Sequence, residues 1–189
     1  MQNLDERSER ERMVAGEPYN ADDPELRELN FRAMRLTAAY HSSPPEDEAG
    51  RELILRALLG SLGEGTLIRS PFYCDYGFNL RIGARTFVNF GCVALDVCAI
   101  TIGNDVQIGP GVQLLTPTHP LEAEPRRAKL ESGKPIHIGD NVWLGGGVMV
   151  CPGVSIGANT VVGAGSVVTR DLPAGVLAVG NPARIVRQL

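Results

Sequence analysis

From about residue 66 an aliphatic side chain returns at every sixth position, and few folds accept that spacing. Ile138, Leu144, Val150, Ile156, Val162 and Val168 make six consecutive matches, and Gly139, Gly145, Gly157 and Gly163 follow four of them. The same phase runs upstream through Ile102, Ile108 and Leu114 with Gly103 and Gly109, and earlier through Ile82 with Gly83 and then Val88. Four residues after each anchor stands another small or aliphatic residue: Val106, Val112, Val142, Val148, Val154, Thr160 and Ser166. An amphipathic helix places apolar residues three and four apart and does not tolerate this density of glycine and proline. Antiparallel hairpins show turn signals roughly every 8–12 residues. Punctuation every six residues is the signature of a parallel β-helix. Each unit is then a short strand plus a corner. The anchor points inward, and the following Gly or Asn is expected to relieve a left-handed corner, where a Cβ is costly. Stacked coils bury a column that no coil buries alone.

Residues 1–62 follow a different, helical grammar and form a cap region, with the β-helix occupying 63–189. Asp23-Pro24 supplies an N-cap with proline in the first turn. Leu26, Leu29, Ala33, Met34, Thr37 and Tyr40 then fall near one face of a helix that stops near Tyr40. Ser43-Pro44-Pro45-Glu46 reads as a capping box opening a helix through Leu53, Ala57 and Leu58 to Gly60. A shorter helix is expected from Glu6 to Ala15.

With 189 residues, 43% of them hydrophobic, the chain is long enough for one sizeable core. A net charge of −4, from 18 Lys and Arg against 22 Asp and Glu, argues against nucleic acid or an anionic membrane as a general partner. No apolar run approaches the roughly 18 residues of a membrane span. The stretch MQNLDERSERERM is charged where a signal peptide needs an apolar segment, so a cytoplasmic protein is expected. The cysteines Cys74, Cys92, Cys98 and Cys151 include no C-x-x-C pair and read as reduced, core-filling thiols. The spacing of Cys92 and Cys98 is expected to stack them on neighbouring strands.

The repeat is broken once, by TPTHPLEAEPRRAKLESGKP at 116–135. This segment lacks the anchor and is expected to leave the prism as a protruding loop without secondary structure of its own, and such loops are usually functional. It carries His119, between Pro117 and Pro120. A neutral imidazole is suited to take a proton from a hydroxyl near neutral pH, although a loop histidine taken alone reads more readily as a solvated surface residue. His137, in Ile136-His137-Ile138, alternates with inward aliphatics and should face solvent, and His41 belongs to the helical region. A three-histidine zinc site is not available from these, so no catalytic metal is expected.

The ordered segments MVAGEPY (13–19), CDYGFN (74–79), VNFGCVALD (88–96), TPTHP (116–120), ESGKPIHIGDNVWLGGGV (131–148), GAGSVVTRDLP (163–173) and GNPARIVR (180–187) resemble the maltose and galactoside O-acetyltransferases of the hexapeptide-repeat superfamily. The resemblance implies a left-handed parallel β-helix, a handedness that the period does not supply because ordinary parallel crossovers are right-handed. It further implies acetyl-CoA as co-substrate, a sugar acceptor, and a homotrimer with active sites between subunits. On the same ground His119 is the general base, acting by direct attack of the activated hydroxyl on the thioester.

Asn89 matches the asparagine that holds the oxyanion, or else it tolerates a left-handed corner. Asp75 and Asp96 are candidate ligands for acceptor hydroxyls, and Asp96 reads equally as a corner-ordering residue. Glu131 orients the imidazole or binds the acceptor; without the resemblance it is a solvated charge. For coenzyme A, the resemblance points to Gly146 and Ala164 as points of close approach, and to Thr169, Arg170, Arg184 and Arg187 as the basic end suited to phosphate in a C-terminal tail. Trp143 lies beside the coenzyme cleft or packs at the trimer interface. Gly91 stands where relatives often carry Asn or Asp, and Pro117 replaces a common alanine, so sugar preference does not transfer. Other acceptors, such as an antibiotic, serine or a lipo-oligosaccharide, remain within the enzyme class, and a non-catalytic β-helical scaffold lies outside it.

Overall fold

A computed structural model describes residues 7–189. Glu6, where the first helix was expected to begin, and the first residues of the charged N-terminal stretch lie outside them. The six-residue pattern becomes a prism of three parallel sheets. One face stacks Ser61–Leu62, Leu80–Ile82, Ile100–Ile102, Ile136–Ile138 and Ser155–Ile156. The second stacks Leu67–Ile68, Phe87–Val88, Gln107–Ile108, Trp143–Leu144, Val161–Val162 and Val176–Val179, and the third Phe72–Cys74, Cys92–Leu95, Gln113–Leu115, Met149–Val150 and Val167–Val168. Successive anchors land on successive faces, so Ile138 stacks on Ile156 and Leu144 on Val162. All the anchors from Ile82 to Val168 are buried, and so are Val106, Val112, Val142, Val148, Val154, Thr160 and Ser166. Each fully buried aliphatic contributes roughly 1.5–3 kcal/mol. The buried hydroxyls are satisfied: Thr160 donates to the Pro173 carbonyl at 2.7 Å and Ser166 to that of Gly163 at 2.6 Å.

The corners differ from expectation. The glycine after the anchor serves coil-to-coil approach rather than a left-handed turn. The Gly139 N–H donates to the Ile156 carbonyl and the Gly145 N–H to that of Val162, both at 2.8 Å. A Cβ on either glycine would lie 2.6 Å from a backbone nitrogen of the next coil, that of Ala158 or Ala164. Positive φ occurs two residues later, at Asp105 (58°), Asn141 (54°), Gly147 (68°) and Asn159 (60°). Asn89 occupies the stacking position, which removes the left-handed reading for it. Gly91, with φ of 72°, takes the left-handed corner, a conformation that Asn and Asp also tolerate.

A six-residue step reaches the next face of the same coil, not the neighbouring coil. Cys92 and Cys98 therefore do not stack: Cys92 lies in the prism core and Cys98 in a second, smaller core. All four cysteines are unpaired.

Helix α1 (Glu9–Val14) opens on a Ser8 capping box. Helix α2 (Pro24–Ser42) is capped by Asp23 and runs two residues past Tyr40. Leu26, Ala33, Thr37 and Tyr40 form its buried stripe, while Met34, a 100° step away from Ala33, is exposed. Ser43 ends α2 instead of opening α3 (Glu48–Leu58), because Pro45 disfavours helical backbone at the preceding residue. Asp47 is the cap of α3, accepting from the Gly50 N–H at 3.0 Å, and Leu55 and Leu58, not the exposed Leu53, face the core. Helix α2 also carries His41, whose Nε2 accepts from the Phe72 N–H at 3.0 Å, tying the helix to the third face. Met13, Tyr19, Leu26, Tyr76, Val97 and Cys98 form the second core, which holds the N-terminal segment against the prism wall.

The two kinds of glycine should respond differently to a methyl group. Gly139→Ala is expected to cost about 3 kcal/mol through overpacking against backbone, and Gly147→Ala roughly 1–2 kcal/mol through left-handed strain alone. Urea denaturation midpoints check the order, and equal losses would contradict the stacking role of Gly139.

Candidate active site

The break in the repeat carries secondary structure of its own. Pro117–Thr118 and Leu130–Gly133 are antiparallel strands, with helix α4 (Ala123–Arg127) at the tip. Leu130–Gly133 pairs on its other edge with Tyr19–Asn20, giving a three-stranded antiparallel sheet beside the prism. Thr116, fully buried, roots the segment by donating to the Leu95 carbonyl at 2.6 Å. Arg126 clamps the chain after His119 through the carbonyls of Pro120 (2.8 Å) and Leu121 (2.9 Å).

This sheet gathers one half of the site. The His119 side chain is 54% exposed, with Nδ1 3.8 Å from Glu131 Oε1. That distance exceeds a hydrogen bond but leaves the carboxylate facing the ring, and acid–base pairs without substrate are commonly long. Glu131 Oε2 accepts from the Tyr19 hydroxyl at 2.8 Å. Asp75 lies close enough for Glu131 to act on its titration: burial first, then the charges of Asp96 and Glu131, push its carboxyl up to about 7. The Asp75 loop is tied to α2 by Asn30, whose side-chain amide donates to the Asp75 carbonyl at 2.8 Å. Tyr76, also buried, has its phenol pushed up by burial and then by Asp75 and Glu131.

Asp96, left open between hydroxyl ligand and corner-ordering residue, takes the second role. It is 0% exposed, and its carboxylate accepts the backbone N–H groups of Tyr76 (2.8 Å) and Asn79 (3.1 Å). Burial pushes its carboxyl up to about 6 against the pull of those N–H groups. Asp96 thus holds the Asp75 loop in shape from below.

The other half is a groove of about 530 Å³ on the second face, lined by Asn89, Trp143, Gly146 and Ala164 among others. The indole of Trp143 is exposed. Asn89 Oδ1 accepts from the Phe90 N–H at 2.9 Å, which leaves its Nδ2 hydrogens as the donors for a ligand. Arg184 and Arg187 belong to the strand Arg184–Gln188, which adds antiparallel to Val176–Val179 and so extends this face. Thr169 and Arg170, both exposed, follow Val168 at the far end of the third face, on the corner where Thr116 leaves the prism. Asn89 precedes the third face and His119 follows it, so one chain holds the two catalytic candidates at opposite ends of that face. His137 faces solvent on the remaining face.

Tyr19 was not singled out from sequence. Its signal was the MVAGEPY segment, whose tyrosine gains meaning only through a partner 112 residues away.

Residues 12–63 match the maltose acetyltransferase hexapeptide capping motif, and residues 135–170 match six repeats of the bacterial transferase hexapeptide. The chain is 49% identical over 179 residues to nodulation protein L of Rhizobium meliloti (strain 1021), covering 95% of this chain and 98% of that protein. The crystal structure of a maltose O-acetyltransferase from Clostridium difficile 630 superposes with a TM-score of 0.95 at 43% identity, covering 97% of this chain and 98% of the other. A galactoside acetyltransferase in complex with coenzyme A gives a TM-score of 0.92 at 36% identity, covering 96% and 91%. The chain therefore belongs to the maltose/galactoside O-acetyltransferase family of hexapeptide-repeat acyltransferases, and it is an acetyltransferase.

Proposed function

We propose that this enzyme transfers acetyl from acetyl-CoA to a sugar hydroxyl by direct attack, with His119 as general base. The observation that carries the reading is the placement of His119 directly after the strand Pro117–Thr118 of a sheet raised from the prism, with Glu131 facing its Nδ1. A proton held on Nδ1 towards the carboxylate leaves the Nε2 lone pair to accept the proton of the acceptor hydroxyl. The alkoxide-like oxygen adds to the thioester carbonyl, and negative charge develops on the carbonyl oxygen. The Nδ2 hydrogens of Asn89 serve that charge, a contact whose loss typically costs about 2.7–4 kcal/mol. Collapse breaks the C–S bond, and the imidazolium returns the proton to the departing thiolate of coenzyme A.

Coenzyme A binding is supported by the complex of the galactoside acetyltransferase and by the groove at Trp143, Gly146 and Ala164. Arg170, Arg184 and Arg187 are exposed cations for its phosphates. Because His119 and Asn89 stand at opposite ends of one face, the reading uses His119 of one subunit with Asn89 of the next, in a homotrimer. Asp75 then receives an acceptor hydroxyl beside the base, and a sugar offers several such hydroxyls.

His119→Ala is expected to lower acetyl transfer by roughly 10²–10⁴-fold while coenzyme A still raises its melting temperature. Near-wild-type turnover by the folded variant would reject the base, and no thermal shift with coenzyme A would reject the groove at Trp143, Gly146 and Ala164 as its site. A panel of sugars assayed by thiol release from acetyl-CoA tests the acceptor class, and silence on every sugar would turn it to other hydroxyl compounds. Mixing His119→Ala chains with Asn89→Ala chains, after joint unfolding and refolding, should restore part of the lost activity if the site is shared. A site within one chain would give none.

Asp75 supplies the pH test. Its folded value of about 7 lies above the ordinary 3.8, so the native state keeps a proton that the unfolded chain releases. Stability at this residue therefore falls as pH rises through that window. Relative to wild type, Asp75→Asn should show little change in melting temperature near the acid end and a clear increase at about pH 8. An equal offset at both pH values would contradict the assignment.

A further inference from the structure

We infer that Tyr19, a residue of the N-terminal cap region, is a positioning residue for catalysis: its hydroxyl holds Glu131 in the orientation that in turn aligns His119. This rests on the reading of His119 as the base. Three independent features converge on the tyrosine. Its strand pairs with Leu130–Gly133 in a register that sets Tyr19 opposite Glu131, so the two backbones are fixed to each other. Its ring is only 1% exposed, packed with Met13, Leu26, Tyr76, Val97 and Cys98, so the hydroxyl has no freedom to swing away. That hydroxyl donates to Glu131 Oε2 at 2.8 Å, while Oε1 of the same carboxylate is the oxygen facing His119 Nδ1.

Glutamate has three rotatable side-chain bonds, and a free carboxylate beside a half-exposed imidazole would sample many directions. The phenol removes that freedom during folding, so the ordering is complete before the reaction begins. Burial, then the hydrogen bond and charge of Glu131, push the phenol far above its ordinary range, so it acts as a donor and never as a competing anion. The tyrosine touches no reacting atom; it acts through Glu131. A cap segment that would otherwise only close the prism thereby becomes part of the acid–base apparatus.

The test compares full-length Tyr19→Phe, Glu131→Ala, the double variant and His119→Ala. Steady-state kinetics use acetyl-CoA with an acceptor that the wild type turns over. Tyr19→Phe keeps the buried ring and removes only the donor. It is expected to lower kcat roughly tenfold, with the KM for acetyl-CoA and the melting temperature close to wild type. Glu131→Ala should lose at least as much, and the double variant should be no worse than Glu131→Ala, because the phenol acts through the carboxylate. Wild-type kcat in Tyr19→Phe overturns the inference, as do losses that multiply in the double variant or a fall in melting temperature that accounts for the loss. If His119→Ala abolishes turnover while Tyr19→Phe is silent, the base stands and only the role of the tyrosine falls. If His119→Ala keeps turnover, both fall.

Discussion

The fold depends on one contact repeated along the prism: a backbone N–H of one coil donating to a carbonyl of the next. Gly83 to Ile102, Gly103 to Ile138, Gly139 to Ile156 and Gly157 to Leu172 repeat it on one face, each at 2.8 Å. On this face the coils are then so close that the residue after each anchor has little room for a Cβ, and glycine occupies it at Gly83, Gly103, Gly139 and Gly157. The same closeness stacks the inward aliphatics into a continuous apolar column. Hydrogen bonding, glycine placement and core packing are thus three expressions of one inter-coil distance.

A regular prism offers grooves and corners but no flexible acid–base group. The chain obtains one by leaving the repeat between Leu115 and Ile136 and anchoring the excursion at both ends. Thr116 fixes the root, and the N-terminal strand Tyr19–Asn20 supplies the outer edge. The resulting sheet is a small platform on which Glu131 faces His119, with Asp75 near enough to Glu131 for the two carboxyls to act on each other. Asp96 never reaches that surface. It satisfies backbone donors beneath the Asp75 loop, so a fully buried carboxyl shapes the loop that carries a partly buried one.

Much of the architecture was legible in the chain. The anchors Ile82 to Val168 named their own faces, and the cap at Asp23-Pro24 appeared where the side-chain chemistry required it. The failures share a cause. Ser43 looked like the start of a helix because the pattern of cap, proline and glutamate was present, yet the second proline shifted the start to Asp47. Met34 sat within the apolar spacing but one step off the stripe that α2 buries. Cys92 and Cys98 matched the period, but a single period changes face rather than coil. Each of these depends on phase or on neighbours, which a spacing rule does not carry.

For the site, sequence alone determined that a proline-flanked histidine lies outside the repeat, because a broken period is visible residue by residue. The roles of Asn89, Gly146 and Ala164 came from the resemblance and from what coenzyme A requires. The tertiary structure decided which of these groups meet. It joined Tyr19 to Glu131 across 112 residues, sank Asp96 into the core, and set Asn89 and His119 at opposite ends of one face. Those outcomes follow from how an antiparallel strand and three stacked faces fold back on one another, and such long-range juxtaposition leaves no local mark in the chain.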